Sequence, residues 1–169
     1  MTERNETLDR LLQHMAWANA DLFERLVKLP DAALTHTAPG SEWSVGAIAH
    51  HLVTAAENYA QRLHGEPRAP EREIPKGNAG VKELRAALAT ADAKVRSAAR
   101  LPGEETLNWI SFNGEPMNFP RWVLVNQTVH HATEHRAQIA GALAAHGIDD
   151  VDLDALDVWT FFDQVHPSA

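Results

Sequence analysis

The stretch Val129-His130-His131-Ala132-Thr133-Glu134-His135-Arg136-Ala137-Gln138 decides the reading of this chain. Taken as a helix, it sets His131 and His135 four residues apart, on one face and one turn from each other. Leu124, Thr128, Ile139 and Ala142 fall at three- and four-residue steps from these histidines, so both imidazoles lie within the apolar stripe. An unpaired buried ring nitrogen costs about 1–3 kcal/mol, and a shared metal ion would satisfy several at once. A third histidine, His51, lies in another predicted helix and can complete the set.

Apolar spacing predicts further helices on either side of this one. Leu8, Leu11, Leu12, Met15, Leu22, Phe23 and Leu26 mark an amphipathic first helix that stops before Pro30, with Asn19 on its stripe. Ser41 or Ser44 can cap a second, carrying Val45, Ile48, Leu52, Ala55, Ala56, Tyr59 and Leu63 and ending at Gly65. Residues 65–80, rich in proline and glycine, read as a long crossover. Asn78 can cap a third helix bearing Val81, Leu84, Leu88, Ala91, Val95 and Ala98, whose apolar face is expected to carry no chemical group. Leu107, Trp109, Ser111 and Phe112 around Asn113-Gly114 predict a small hairpin with a type I′ turn. Asn118 is then expected to cap the fourth helix, with Pro120 in its first turn and Gly147 at its end. A short last helix is expected over about Leu153–Gln164 after an Asp152 cap. The fold class expected is all-α, one domain over residues 1–169: a four-helix bundle in up-down-down-up order, because the long 65–80 connection lets helices two and three run parallel.

Composition narrows the function classes. With 23 acidic and 15 basic residues the net charge is −8, which disfavours nucleic acid and anionic membrane as partners. There is no cysteine, so disulfides, thiolate metal sites and a cysteine nucleophile are excluded, and any thiol chemistry needs an external thiol. The N-terminal residues lack a basic-then-apolar signal pattern, and no apolar run approaches the roughly 20 residues of a membrane span, so a cytoplasmic location is expected.

Several segments together resemble the DinB/YfiT superfamily of metal-binding four-helix-bundle proteins, nearly end to end. They are Met15-Ala16-Trp17-Ala18-Asn19, Glu42-Trp43-Ser44-Val45-Gly46-Ala47-Ile48-Ala49-His50-His51-Leu52, Asn113-Gly114-Glu115-Pro116, His131-Ala132-Thr133-Glu134-His135-Arg136-Ala137-Gln138-Ile139, and Leu156-Asp157-Val158-Trp159-Thr160-Phe161-Phe162. The resemblance implies a divalent transition metal held by one histidine of helix two and an HxxxH pair of helix four, which map onto His51, His131 and His135. It also implies a homodimer, in keeping with the apolar Leu153, Leu156, Trp159, Phe161 and Phe162 of the last helix. Relatives in that superfamily include transferases and isomerases that use low-molecular-weight thiols.

Helix geometry separates the neighbours of these histidines. At about 100° per residue, His50 points almost opposite the Val45/Ile48/Leu52/Tyr59 stripe, while His51 flanks it; His130 likewise lies outside the face of the pair. His14, His36, His64, His146 and His166 read as ordinary surface residues. Neutral imidazole suits zinc, nickel, iron or copper, and three protein ligands leave a coordination position open. Gln127, Gln138 and Asn58 are candidates to hold the far ring nitrogens. The pair lacks the glutamate of an HExxH protease site, since Glu134 projects about 100° away from His135. No ExxH di-iron motif, GxSxG elbow or phosphate loop is present. The resemblance implies, as the expected function, a metal-dependent enzyme activating a low-molecular-weight thiol, with a metal-dependent hydrolase or a non-catalytic stress-response or metal-binding module as alternatives.

Overall fold

Asn5 accepts the Leu8 amide on its side chain at 3.0 Å and opens α1 (Glu6–Leu26). Ser44 accepts that of Ala47 at 3.2 Å and opens α2 (Val45–His64), which Gly65 closes in the left-handed conformation at φ 64°. Next come α3 (Asn78–Ala98), the strands β1 (Thr106–Ile110) and β2 (Pro116–Pro120), α4 (Arg121–Ala144) and α5 (Val158–Val165). The computed structural model describes residues 5–68, 70–111 and 113–166. Within these the fold is mostly helical, with five α-helices, two short 3₁₀ turns and one two-stranded antiparallel sheet.

α2 packs against both α3 and α4, and α1 against both α3 and α4. Fully buried side chains from all four fill the centre, among them Leu12, Phe23, Leu52, Leu88, Ile139 and Leu143. Along α1 and α3 the polar contacts run in opposite directions, Asp9 with Arg96 at 3.6 Å, Asn19 with Asp92 at 3.0 Å and Glu24 with Arg85 at 2.8 Å. The start of α2 passes so close to the chain around it that a Cβ on Gly46 would stand 3.1 Å from the Leu34 carbonyl oxygen.

Local expectations fail at four boundaries. Asn78 is the first residue of α3 and not its cap; its amide is taken by the Asp31 carboxylate at 3.0 Å, a partner 47 residues away. Asn118 does not cap α4 but pairs with Asn108 inside the hairpin, and α4 starts after Pro120, its first amides donating to Glu105 and Gly103 carbonyls at 2.9 and 3.0 Å. The hairpin turn is not type I′, which needs two positive φ values, because Gly114 has φ 82° and Asn113 does not share it. Phe112 lies outside the described residues. The C-terminal helix is split into a 3₁₀ turn at Asp154–Leu156, whose cap position is Leu153 and whose Asp154 amide donates to the Asp152 carboxylate at 2.9 Å, and α5, which Asp157 caps.

The expectation of a purely apolar face on α3 is also overturned, since Asp92 is 3% exposed within it. Asn19 Nδ2 donates to Asp92 Oδ2 at 3.0 Å, Arg136 Nη1 donates to Asn19 Oδ1 at 2.7 Å, and Arg136 Nη2 donates to Thr133 Oγ1 at 3.0 Å. One amide thus couples a buried carboxylate on α3 to a buried guanidinium on α4. Burial pushes the Asp92 carboxyl up to about 6 and Arg136 down to about 10, each opposed by the charge of the other. Asn19→Ala should lower stability by about 2–4 kcal/mol in urea unfolding at pH 7, because it strands both charges; a loss below about 0.5 kcal/mol would show that they relax without it.

Candidate metal centre

α2 and α4 face each other through His51, His131 and His135. His131 Nε2 stands 3.1 Å from His51 Nε2 and 3.0 Å from His135 Nε2, and the nearest ligand atoms of all three lie within 4.8 Å of one another. His131 and His135 are 9% and 6% exposed, so these nitrogens have little access to water. The Gln138 carboxamide oxygen is 2.7 Å from His135 Nδ1, which therefore donates and leaves Nε2 with a bare lone pair aimed into the cluster. Nitrogens bound to one cation at about 2.0–2.1 Å, at angles between perpendicular and tetrahedral, stand about 2.8–3.4 Å apart. The two separations from His131 Nε2 fit that requirement, and a single ring proton there cannot satisfy both neighbours. The cluster can form a metal site, and its all-imidazole donor set suits a divalent cation.

Trp43 covers one side. Its ring stacks over that of His135 at 6.4 Å and 11° and meets His51 edge-on at 4.9 Å, with the indole 44% exposed. Tyr59 meets His131 edge-on at 5.6 Å. A cavity of about 320 Å³ opens beside the cluster, with His51, His131 and Tyr59 in its wall.

The sequence model of the DinB family matches residues 1–160. The chain belongs to the DinB family. A crystal structure of a DinB-like protein from Bacillus cereus ATCC 10987 is similar to it with a TM-score of 0.64 at 19% identity, over 88% of this chain and 96% of the other. At that identity the likeness concerns the fold. No curated protein matches the chain.

In this DinB-family chain the histidines chosen from the sequence are the ones brought together. His50 turns aside, its Nε2 2.8 Å from the Arg72 carbonyl oxygen, and His130 is exposed. Gln138 holds a far ring nitrogen as expected. Gln127 is exposed, and the Asn58 amide donates to the Thr54 carbonyl at 2.7 Å. Glu134 is exposed. His14, expected as a plain surface residue, is half-buried; its Nε2 lies 2.8 Å from the Leu156 carbonyl oxygen and its ring packs on Phe161. The roles of Trp43 and Tyr59 were not assigned from the sequence. Tyr59 already stood on the stripe one turn below Ala55, whereas Trp43 precedes its helix and no periodicity applies to it.

Burial, followed by the like charges of His135 and His51, lowers the His131 imidazole to about 4; burial and the charges of His135 and His50 also lower His51. Two outcomes follow for protein purified without a histidine tag. His51→Ala should lose more than about 100-fold in zinc affinity while His50→Ala retains it; equal affinities would remove His51 from the ligand set. The second concerns the metal-free protein. Between pH 6.5 and 4 the unfolded chain binds a proton at His131 that the folded chain refuses, so this residue's contribution to stability is lost as pH falls through that window. The urea midpoint of the metal-free protein should therefore fall relative to that of His131→Leu on going from pH 7 to 4.5, and a difference independent of pH would contradict the shift.

Proposed function

We propose that this protein is a metal-dependent enzyme in which His51, His131 and His135 hold a divalent transition metal, zinc, nickel or iron, and in which a low-molecular-weight thiol is the nucleophile. The observation that carries the reading is the convergence of three imidazole nitrogens at 3.0–3.1 Å steps beside a cavity large enough for a small molecule. A divalent cation held by three neutral ligands keeps a position open and lowers the pKa of a thiol that enters it. The chain's own residues do the rest. Gln138 fixes the tautomer of His135, Trp43 shields the cluster from one side, and the Tyr59 hydroxyl, pushed up by burial, stays protonated as a hydrogen-bond donor toward the cavity. With no cysteine in the chain, the thiol comes from outside.

The arrangement is read as a single-domain four-helix bundle in up-down-down-up order, supported by the opposed contacts along α1 and α3 and by Arg121, near the start of α4, reaching the Leu63 carbonyl at the end of α2 at 2.8 Å. No helix among the described residues is long and apolar enough to cross a membrane, in keeping with a cytoplasmic enzyme. A homodimer is supported by α5, where Phe161 packs inward while Trp159 and Phe162 are 79% and 55% exposed. Sedimentation at micromolar concentration should give a dimer, and a monomer would refute it.

The decisive experiment loads the protein with zinc and measures consumption of a panel of thiols with a panel of electrophiles. Thiol transfer should occur and should fall by more than about 100-fold in His51→Ala and His135→Ala. Ester hydrolysis without thiol transfer would favour the hydrolase. A fully loaded protein on which thiols leave the spectrum of substituted cobalt unchanged would favour the non-catalytic module.

A further inference from the structure

The chain sets two histidines side by side on α2, and His50, the one that does not join the cluster, has a partner of its own. Its Nε2 donates to the Arg72 carbonyl oxygen at 2.8 Å. The Arg72 guanidinium reaches Glu57, donating from Nε at 2.8 Å and from Nη2 at 2.7 Å to the two carboxylate oxygens. His50 and Glu57 stand seven residues apart on α2, two turns or about 10.5 Å of rise, so Arg72 bridges two turns of that helix. Its main chain is held at one end and its side chain at the other. The ion pair is bidentate and the Glu57 side chain is 16% exposed, so water screens it less than a surface pair.

The segment that carries Arg72 has little else to hold it. Of the described residues between Gly65 and Pro75, Arg72 alone is not exposed. Among the described residues, no main-chain hydrogen bond joins residues 70–76 to another main-chain group. The next fixed point is Pro75, which is buried against the start of α3, where a Cβ on Gly80 would stand 3.0 Å from the Pro75 Cβ.

This segment also completes the cavity of about 320 Å³ beside the cluster. One wall is the face of α2 that carries His51, His131 comes from α4, and Pro70 and Glu71 come from the crossover. Pro70 and Glu71 directly precede Arg72, which is not itself part of the wall. Without them, what remains is an open helix face bearing His51 and His131. The volume is at the lower end of small-molecule sites, which run from about 300 to 1,000 Å³.

We propose that Arg72 is a specificity-determining latch: gripped by His50 and Glu57, it keeps Pro70 and Glu71 on the cavity and restricts what reaches the histidine cluster to compact molecules. Arg72 acts through the wall it holds, so it is a positioning residue and not a catalytic one. The size restriction at a metal rests on the metal reading of the cluster; the latch does not.

Two measurements keep these apart. In the first, the His50 Nε2 proton of the metal-free protein is followed by NMR. It should exchange slowly in the wild type and be lost to solvent exchange in Arg72→Ala and in Glu57→Ala, because the two ends of Arg72 release together, while Arg72→Lys keeps part of the protection. A proton unprotected in the wild type, or still protected in Glu57→Ala, overturns the latch. In the second, cobalt-substituted protein is titrated with imidazole and with 1-benzylimidazole, which offer the same donor nitrogen at different bulk, and the cobalt absorption is read. Imidazole should bind at least about tenfold more tightly to the wild type, and the ratio should fall toward about one in Arg72→Ala through tighter binding of the bulky probe, with Arg72→Lys between them. The affinity for imidazole and the urea midpoint should stay as in the wild type, which separates loss of the wall from loss of the fold. A ratio that Arg72→Ala leaves unchanged overturns the size restriction. A protein that takes up no cobalt while the His50 proton behaves as expected keeps the latch and removes the metal reading.

Discussion

Three imidazole lone pairs that converge in a half-buried seam are the constraint on which the site depends. His131 Nε2 is the common neighbour of His51 Nε2 and His135 Nε2, and one ring proton on it cannot satisfy both. What the protein supplies is orientation. The His135 tautomer is set by Gln138, the His131 ring is bounded by Tyr59, and the His51 ring is bounded by Trp43. With the rings so placed, the cluster could hold a cation. A cation that binds only this folded arrangement would also stabilise the contact of α2 with α4 by mass action.

A second polar element lies behind the first. Arg136 follows His135 in α4 and points to the other side, where Asn19 joins it to Asp92. Three of the four long helices therefore meet at one amide, and the helix carrying two of the three histidines is anchored to both α1 and α3 by hydrogen bonds as well as by the apolar core. Such a network specifies register more sharply than interchangeable Leu and Ala contacts do, provided all its members are paired. Asp92 Oδ1 has no protein partner, in keeping with the upward shift of that carboxyl.

The two open sides of the cluster differ in chemistry. Trp43 presents an aromatic ring to His51 and His135, while Tyr59 and Arg62 line the cavity that holds His51 and His131 in its wall. The hairpin is placed by Arg121, only 3% exposed, whose guanidinium binds the Leu63 and Pro102 carbonyls and the Glu105 carboxylate. Through that side chain the end of α2, the approach to β1 and the start of α4 are tied together.

What the sequence by itself determined was periodic: the four long helices from their apolar spacing, the Ser44 start and Gly65 stop of α2, and the shared faces that let His51, His131 and His135 converge while His50 and His130 do not. These follow because a helix repeats every 3.6 residues and fixes which side chains share a face. What only the tertiary structure decided was every partnership between residues distant along the chain. Asp31 took the start of α3 from Asn78, strand pairing drew Asn118 away from the α4 cap, and His14 was claimed by Leu156 and Phe161. Asp92 was hidden for the same reason, because an acidic residue on a helix stripe is stable there only when Asn19 and Arg136, from two other helices, arrive to meet it. Trp43, against His51 and His135, and Arg62, over the Trp109 ring, belong to this second class, since a local pattern records spacing along one element, not which elements come to face one another.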